Sequence, residues 1–230
     1  MNQLQDIPMF FIGDNHGEYS EMFELIKNHS LSNCYLIHLG DGGEGFLEMP
    51  KQFRQFVYLN TFFESRNIHY MSIRGNHSDP IYFEGSTRFS LSHFNLIEDY
   101  TLMDYKDKVI QFVGGAISID RKSRIEGRSY WKKEPVKLDL EKCQKCDILI
   151  THTAPSRCFP QEINDMVRYW ARNDESLLKD LAEERVVMDE IFNKCKPSLH
   201  IYGHFHSSHT EVVQDCMHKL LDINEIWEYR

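Results

Sequence analysis

Long apolar runs are missing from this sequence: no stretch approaches the roughly 18 consecutive apolar residues that a membrane-spanning helix requires. The opening residues, MNQLQD, also lack the basic segment and the apolar core of a secretion signal. Repeats, linkers and low-complexity tracts are absent as well. These absences predict a cytoplasmic protein without a membrane partner, in which residues 1–230 form a single domain.

An excess of positive charge is missing too. Lys and Arg number 26 against 35 Asp and Glu, which gives a formal net charge of −9. Nonspecific binding to nucleic acid depends on clustered Lys and Arg, so it is not expected here. The loop-like segment 114–135 is locally basic, and two roles stay open for it. It either overhangs a site and binds a phosphorylated substrate through Arg121 or Arg128, or it is a solvated loop anchored by Trp131.

Regularly spaced cysteine pairs are also missing. The six cysteines are irregularly spaced, and in a reducing compartment they are predicted to be free thiols. A lone C-x-x-C pair occurs at 143–146. Two thiols at a helix end are a better interpretation of this pair than a zinc or redox site.

Polar side chains of the metal-binding type follow several predicted strands. Apolar runs at 9–12, 35–39 and 68–73 lead into the glycine-containing turns 13–17, 40–43 and 74–77. Amphipathic helices are predicted between these strands, and strands that alternate with helices favour a parallel sheet. Ligands of such sheets bind at the carboxyl ends of the strands, which is where all three turns lie.

The second half of the chain adds further strands and further candidate ligands. Residues 95–116 contain hairpin-like strands, which predict a second, mixed or antiparallel sheet. Strands at 147–150 and 199–202 then run into the segments 151–155 and 203–206, and a helix is predicted over 176–194. The turns of both halves therefore offer donors to one region.

Seven side chains in these turns are candidate metal ligands with carboxylate, amide or imidazole donors. They are Asp14, His16, Asp41, Asn76, His152, His204 and His206. Residues i and i+2 of an extended chain point to the same side, so Asp14 with His16, and His204 with His206, are expected to face one ion each. Seven donors exceed the need of one catalytic ion, whereas two ions that share a bridging carboxylate would use them all.

Five motifs stand in order along the chain: GDNHG at 13–17, GDGGEG at 40–45, RGNH at 74–77, TH at 151–152 and GHFH at 203–206. In sequence and order they resemble the motifs of the calcineurin-like metallophosphoesterases. The segments 114–121 and 127–131 resemble a part of small bacterial and phage members of that family. The resemblance implies an α/β fold of two packed mixed β-sheets flanked by helices. This is a four-layer α/β/β/α sandwich with a dinuclear metal site at the C-terminal ends of strands.

The resemblance also assigns roles to the candidate ligands. It implies that Asp14, His16 and His206 bind the first metal, that Asp41 bridges both metals, and that Asn76, His152 and His204 complete the second site. The cofactors would be two divalent metal ions, with manganese favoured and iron or zinc as alternatives.

The implied activity is hydrolysis of a phosphate ester by a hydroxide that bridges the two ions, since metal ions lower the pKa of bound water. His77 occupies the position of a non-ligand histidine and is expected to act as general acid toward the leaving oxygen. Arg74 is expected to bind the substrate and to stabilise charge on its phosphoryl oxygens.

Two departures from the family pattern bear on the substrate. Gly43-Glu44-Gly45 stands where protein Ser/Thr phosphatases have Asp-Arg-Gly, and Ser78 stands where an acidic residue often follows the histidine. A phosphodiesterase or nuclease and a nucleotide-polyphosphate hydrolase remain alternatives. A protein phosphatase and a non-catalytic metal-bound scaffold are less favoured, and no motif specifies an oligomeric state.

Overall fold

The computed structural model describes residues 2–230 and contains two β-sheets and four α-helices in this range. The strands are β1 (Asn2–Gln3), β2 (Met9–Ile12), β3 (Cys34–His38), β4 (Ile68–Ser72), β5 (Phe94–Leu96), β6 (Leu102–Tyr105), β7 (Lys108–Val113), β8 (Ile148–Thr151), β9 (Leu199–Tyr202), β10 (His209–Val213), β11 (Cys216–Leu220) and β12 (Ile226–Tyr229). The helices are α1 (Tyr19–Asn28), α2 (Met49–Glu64), α3 (Asp165–Ala171) and α4 (Leu177–Cys195), and single 3-10 turns lie at Pro80–Tyr82, Gly85–Thr87 and Arg121–Ser123.

Both sheets mix parallel and antiparallel neighbours. The five-stranded sheet has the order β12-β2-β3-β4-β5, in which β2 to β5 are parallel and β12 is antiparallel to β2. The seven-stranded sheet has the order β1-β6-β7-β8-β9-β11-β10, with parallel pairing from β7 to β11 and antiparallel partners at β6 and β10. This confirms the predicted pair of mixed sheets.

The sheets pack face to face, and helices cover their outer surfaces. Apolar side chains from the two inner faces, such as Phe11, Ile37, Phe112 and Ile150, form one continuous core. Helices α1 and α2 cover the outer face of the five-stranded sheet, and α4 covers the seven-stranded sheet. This is the four-layer α/β/β/α arrangement predicted from the sequence. Burial of each side chain of this size stabilises the folded protein by about 1.5–3 kcal/mol.

The strands that precede the five motifs all end at one edge of the sandwich. Strands β2, β3 and β4 are parallel neighbours in one sheet, and β8 and β9 are parallel neighbours in the other. Contacts between the turns confirm the convergence, because the backbone N–H of His204 lies 3.2 Å from both carboxylate oxygens of Asp14. The packing of the two sheets therefore joins motifs that are up to 190 residues apart.

Two strands escaped the sequence prediction. The first is β1, which is only two residues long, and the second is β12, whose four residues are all half-buried. Neither carries the clear alternation of buried and exposed residues that marks a strand in a sequence. Among residues 2–230, no helix is both long enough and apolar enough to cross a membrane.

Candidate metal centre

The first donor group consists of Asp14, His16 and His206. The Nε2 atoms of the two histidines are 2.9 Å apart, and Asp14 Oδ2 lies 3.4 Å from His206 Nε2 and 4.0 Å from His16 Nε2. Asp14 is buried, whereas the His206 side chain is 45% exposed. Three donor atoms thus meet at the floor of a cleft that solvent can enter, as a catalytic metal requires.

The second donor group consists of Asp41, Asn76 and His152. His152 Nε2 lies 3.0 Å from Asn76 Oδ1 and 3.4 Å from Asp41 Oδ1. The other carboxylate oxygen of Asp41, Oδ2, lies 3.9 Å from His16 Nδ1 in the first group. Asp41 therefore stands between the two groups, with one oxygen toward each.

His204 lies at the side of the second group. Its ring centroid is 5.0 Å from that of His152, at an angle of 60°, and its side chain lines the cleft. Burial lowers the pKa of His204 to about 3, an effect that the positive charge of His152 increases. A neutral imidazole is the form that binds metal ions.

The backbone of the donor turns is not extended, contrary to the prediction for the i, i+2 pairs. Four of the seven candidate ligands have positive φ: His16 (49°), Asp41 (58°), His204 (72°) and His206 (46°). This left-handed backbone conformation costs a non-glycine residue about 1–3 kcal/mol, and residues that adopt it cluster at functional sites. Asp14 and His16 do face each other, but through a left-handed turn.

Glycine residues in two of the motifs make room for the donor atoms. A Cβ atom at Gly75 would lie 2.0 Å from Asp41 Oδ1, and one at Gly203 would lie 2.4 Å from Asp14 Oδ1. Either distance is far below van der Waals contact, so the carboxylates occupy space that any side chain would need. The glycines that flank the ligands are therefore part of the site.

The charges of the donor groups compensate one another within the protein. Burial opposes ionisation of Asp14 and Asp41, but the surrounding histidines outweigh it, His152 most strongly, and lower the pKa of both carboxyls. Burial likewise opposes a charge on His152, and the two carboxylates overcome it and raise its pKa to about 9. Two buried carboxylates among imidazoles form a strongly anionic donor set, which divalent cations fit.

Hydrogen bonds orient the ligands from behind. His152 Nδ1–H donates to the backbone oxygen of Leu39 at 2.7 Å, so Nε2 is the ring nitrogen that faces the site. Asn76 Nδ2 donates to Ser118 Oγ at 3.0 Å and so turns its oxygen toward His152. The Ser118 hydroxyl donates in turn to Glu134 at 3.0 Å. Such contacts fix the tautomer and the orientation of metal ligands, so the residues present fit the expected metal ions.

His77 stands beside the donor groups and contacts an arginine that the sequence analysis did not select. Its Nε2 atom lies 3.9 Å from Asp41 Oδ2 and 3.1 Å from Arg124 Nη2. Arg124 Nη1 also contacts His77 Nδ1, and Arg124 Nε donates to Asp120. Burial lowers the pKa of His77, Asp41 opposes this, and the charge of Arg124 lowers it further. Arg124 lies in the basic loop, with no motif to distinguish it from its neighbours.

Arg74 does not line the cleft, so its position gives no support to the substrate-binding role expected for it. Its side chain is 1% exposed and forms an ion pair with Asp99, in which Nη2 lies 2.9 Å from Oδ2. The guanidinium group also donates to the backbone oxygens of Gly114, Lys133, Glu134 and Pro135. All of its donors are used to hold the basic loop against the third motif, so Arg74 is a structural anchor.

The other prominent residues of the basic loop are structural too. Arg121 forms ion pairs with Asp174 and Asp180 at the start of α4. Trp131 is buried, and its ring packs closely against Gly45: a Cβ atom at position 45 would lie only 2.8 Å from Trp131 Cζ2. The loop is therefore fixed at both ends, and Arg124 is the cation that it presents to the cleft beside His77.

The donor groups lie at one end of a cleft of about 670 Å³. At this end the lining is polar and includes Asp41, Asn76, His77 and Arg124. The far wall is largely apolar and comes from α3, α4 and the segment before α3, with Ile163, Met166, Val167, Trp170, Leu178 and Leu181. Met166 is 57% exposed and Ile163 is 42% exposed, so the wall faces open space.

Two mixed sheets that converge on overlapping carboxylate, amide and imidazole donors define a metallophosphoesterase-type sandwich. The model of the calcineurin-like phosphoesterase family matches residues 7–208, and the chain belongs to this family. Members of the family use a dinuclear divalent metal site to hydrolyse phosphate esters. No curated protein matches the chain significantly.

Solved structures share the fold at low sequence identity. A protein of Staphylococcus aureus inferred to be a 5′-nucleotidase, solved with α-ketoglutarate, is 11% identical, with a TM-score of 0.51. The match covers 94% of this chain and 48% of that one, so this chain spans about half the length of that protein. Phosphopantetheinyl hydrolase of Mycobacterium tuberculosis is 12% identical over 95% of this chain and 91% of that chain, with a TM-score of 0.42. At 11% identity the likeness to the Staphylococcus aureus protein concerns the fold alone.

Proposed function

We propose that this protein hydrolyses phosphate esters at a dinuclear metal site. The observation that carries the proposal is the position of Asp41, whose two oxygens face two donor groups at the floor of a cleft. Asp14, His16 and His206 would hold one ion, and Asn76, His152 and His204 the other, with Asp41 shared. When bound, two divalent ions lower the pKa of coordinated water and neutralise charge on a phosphoryl group.

The protein's own contribution at the phosphoryl group comes from Arg124 and His77. A neutral imidazole has one lone pair, so it accepts only one hydrogen bond from the two Arg124 nitrogens that contact it. The remaining N–H groups of the guanidinium fork are available to phosphoryl oxygens. In its protonated form, His77 would donate a proton to the leaving oxygen, and proton transfer of this kind typically accelerates a reaction about 10²–10⁴-fold.

The organic part of the substrate would lie along the apolar wall. The cleft of about 670 Å³ extends well beyond the donor groups, and its far side is lined by apolar side chains such as Met166, Trp170 and Leu178. The cation on this side, Arg185, donates its hydrogen bonds to backbone oxygens of residues 154, 155 and 160. Burying apolar surface against the apolar side chains is favourable by roughly 25 cal/mol per Å². Small esters with an apolar or aromatic group are therefore favoured over highly charged polyphosphates and phosphoproteins.

The test is hydrolysis of p-nitrophenyl phosphate with added manganese, zinc or iron, combined with metal analysis. Asp41→Asn and His152→Ala should lower activity at least about 10³-fold and reduce the bound metal, because each removes a donor from the second group. His209→Ala changes an exposed histidine outside the site and is the matched control. Full activity in the Asp41→Asn protein would contradict the site assignment. Two bound ions without turnover of any phosphate ester would favour a non-catalytic scaffold.

A further inference from the structure

A second group of metal-binding side chains lies outside the cleft, on the outer face of the seven-stranded sheet. His200 on β9 and His218 on β11 are direct partners in the parallel register, so both side chains point to the same face. Cys158 comes from the loop after β8 and reaches the same point. All three side chains are 0% exposed, and their donor atoms lie within 4.8 Å of one another.

The separations in this group match those of the catalytic donor groups. His200 Nδ1 is 3.0 Å from His218 Nδ1, and Cys158 Sγ is 3.1 Å from the same His218 nitrogen. The corresponding distances in the cleft are 2.9 Å between His16 and His206, and 3.0 Å between His152 and Asn76. Three donor atoms thus converge on one point here as well.

Hydrogen bonding within the protein does not account for all of these atoms. The Thr151 hydroxyl donates to the backbone oxygen of Thr153, so it accepts from His200 Nε2–H, 2.8 Å away. Neutral His200 then has a bare lone pair on Nδ1, toward His218. If His218 Nδ1 carries a proton, it donates to His200 Nδ1, but the Cys158 thiol then faces an N–H group. If the thiol donates to His218 Nδ1 instead, the two Nδ1 atoms face each other at 3.0 Å and neither carries a proton.

The surroundings add a nearby negative charge and disfavour an extra proton on the histidines. Glu211 on β10 is the direct antiparallel partner of His218, and its charge acts on both His218 and Cys158. Burial disfavours an imidazolium at either histidine and lowers the pKa of both. An unmet lone pair in a buried site costs about 1–3 kcal/mol, which a cation would relieve.

We propose that Cys158, His200 and His218 bind a metal ion of the thiophilic d¹⁰ class, either Zn²⁺ or Cu⁺, with the Glu211 carboxylate beside it. One thiolate with two imidazoles is a donor set that these ions prefer, while manganese and magnesium prefer oxygen. Binding would replace the thiol proton, which passes to solvent, and would form one metal–sulfur and two metal–nitrogen bonds. The ion would tie the loop after β8 to the sheet, independently of catalysis.

Cobalt makes the site visible, because the seven candidate ligands of the cleft include no cysteine. Protein produced in cobalt-supplemented medium should show a thiolate-to-cobalt charge-transfer band in the near ultraviolet. Cys158→Ser should abolish the band and remove one cobalt ion per chain, with hydrolysis of p-nitrophenyl phosphate retained. Cys143→Ser is the matched control, since Cys143 is equally buried but lies under α4 with Cys195, and this variant should keep the band.

Two results would overturn the proposal: a cobalt protein without the band, or a band that survives Cys158→Ser. If Cys158→Ser does not fold, His218→Asn is used in its place. Metal analysis of the unaltered protein then shows whether a third metal ion is bound per chain, beside the two expected in the cleft. Expression with zinc or with copper, followed by elemental analysis, distinguishes the two ions. Because the readout is spectroscopic, the outcome does not depend on whether the cleft hydrolyses phosphate esters.

Discussion

Ser78 Oγ–H donates a hydrogen bond to Glu44 Oε2, and the two atoms are 2.8 Å apart. Both side chains are fully buried, and Ser78 Oγ also accepts from the backbone N–H of Gly75 at 3.1 Å. These are the two positions at which the motifs depart from the family pattern. The two departures are coupled. The carboxylate is Glu44 of the second motif and not a residue that follows His77, and it holds the third motif in place through its hydrogen bond with Ser78.

Removing the Ser78 hydroxyl should loosen the turn that carries Asn76 and His77. Ser78→Ala leaves the Gly75 N–H and the Oε2 atom of Glu44 without a partner, at a cost of about 1–3 kcal/mol in the free energy of unfolding. We expect kcat for p-nitrophenyl phosphate to fall as well. Urea unfolding and steady-state kinetics measure the two effects. Ser65→Ala, on the exposed end of α2, is the control, and equal stability of the two variants would refute the coupling.

Arg124 should matter for turnover more than any other cation of the basic loop. Arg124→Ala removes the guanidinium fork beside His77, and we expect kcat/KM to fall about 10²–10³-fold, the usual effect of losing one donor at a developing charge. The free energy of unfolding should change little. Arg128→Ala, in the same loop, should leave the kinetics unchanged. Equal kinetic losses in the two variants would indicate a general effect of loop charge.

Arg74 should affect folding and not the chemistry directly. Arg74→Met leaves Asp99 without its partner and several backbone oxygens without a donor, and breaking a buried ion pair costs about 3–5 kcal/mol. The expected result is a large drop in the urea midpoint. Any protein that folds should retain a near-normal KM for p-nitrophenyl phosphate. A well-folded variant with a strongly raised KM would restore the substrate-binding role.

Glu184 should make the protein less stable as the pH rises. Burial raises the pKa of this carboxyl from 4.5 to about 7, and Oε1 has no hydrogen-bond partner among residues 2–230. The folded protein therefore binds more protons than the unfolded chain between these pH values. The contribution of Glu184 to the free energy of unfolding is complete below pH 4.5 and is lost as the pH rises through 7, a change of about 3 kcal/mol in total.

Glu184→Gln should remove this contribution and flatten the dependence of unfolding free energy on pH between 5 and 8. Urea titrations at several pH values measure it. Glu183→Gln alters the neighbouring, exposed carboxyl and should leave the slope unchanged. An unaltered slope in the Glu184→Gln protein would show that the carboxyl titrates normally.

The sequence identified the strands and turns of the site because short motifs follow strongly apolar runs. The bounds of β2, β9 and the hairpin between β6 and β7 agree with the prediction, since burial on both faces or clear turn residues mark these segments. The left-handed backbone of His16, Asp41, His204 and His206 was not predictable, because tertiary packing imposes it on residues that do not prefer it.

The two arginines show the same limit. Arg74 adjoins a motif, yet its direction depends on Asp99 and on backbone oxygens of a distant loop. Arg124 carries no motif, and it reaches His77 only because Arg74 and Arg121 fix the ends of that loop. Sequence proximity to a motif therefore selected Arg74, whereas the anchoring of the loop by buried charges brings Arg124 to the cleft.

The contact between Asp14 and the backbone of His204 also has a consequence for biosynthesis. The first donor group takes two members from the start of the chain and one from residue 206, so a growing chain carries an incomplete chelator while most of the protein is made. The buried carboxylates acquire the counter-charge of His152, the strongest one, only when the second sheet docks. In the proposed site, an ion would therefore find all of its ligands only after the two sheets have packed together.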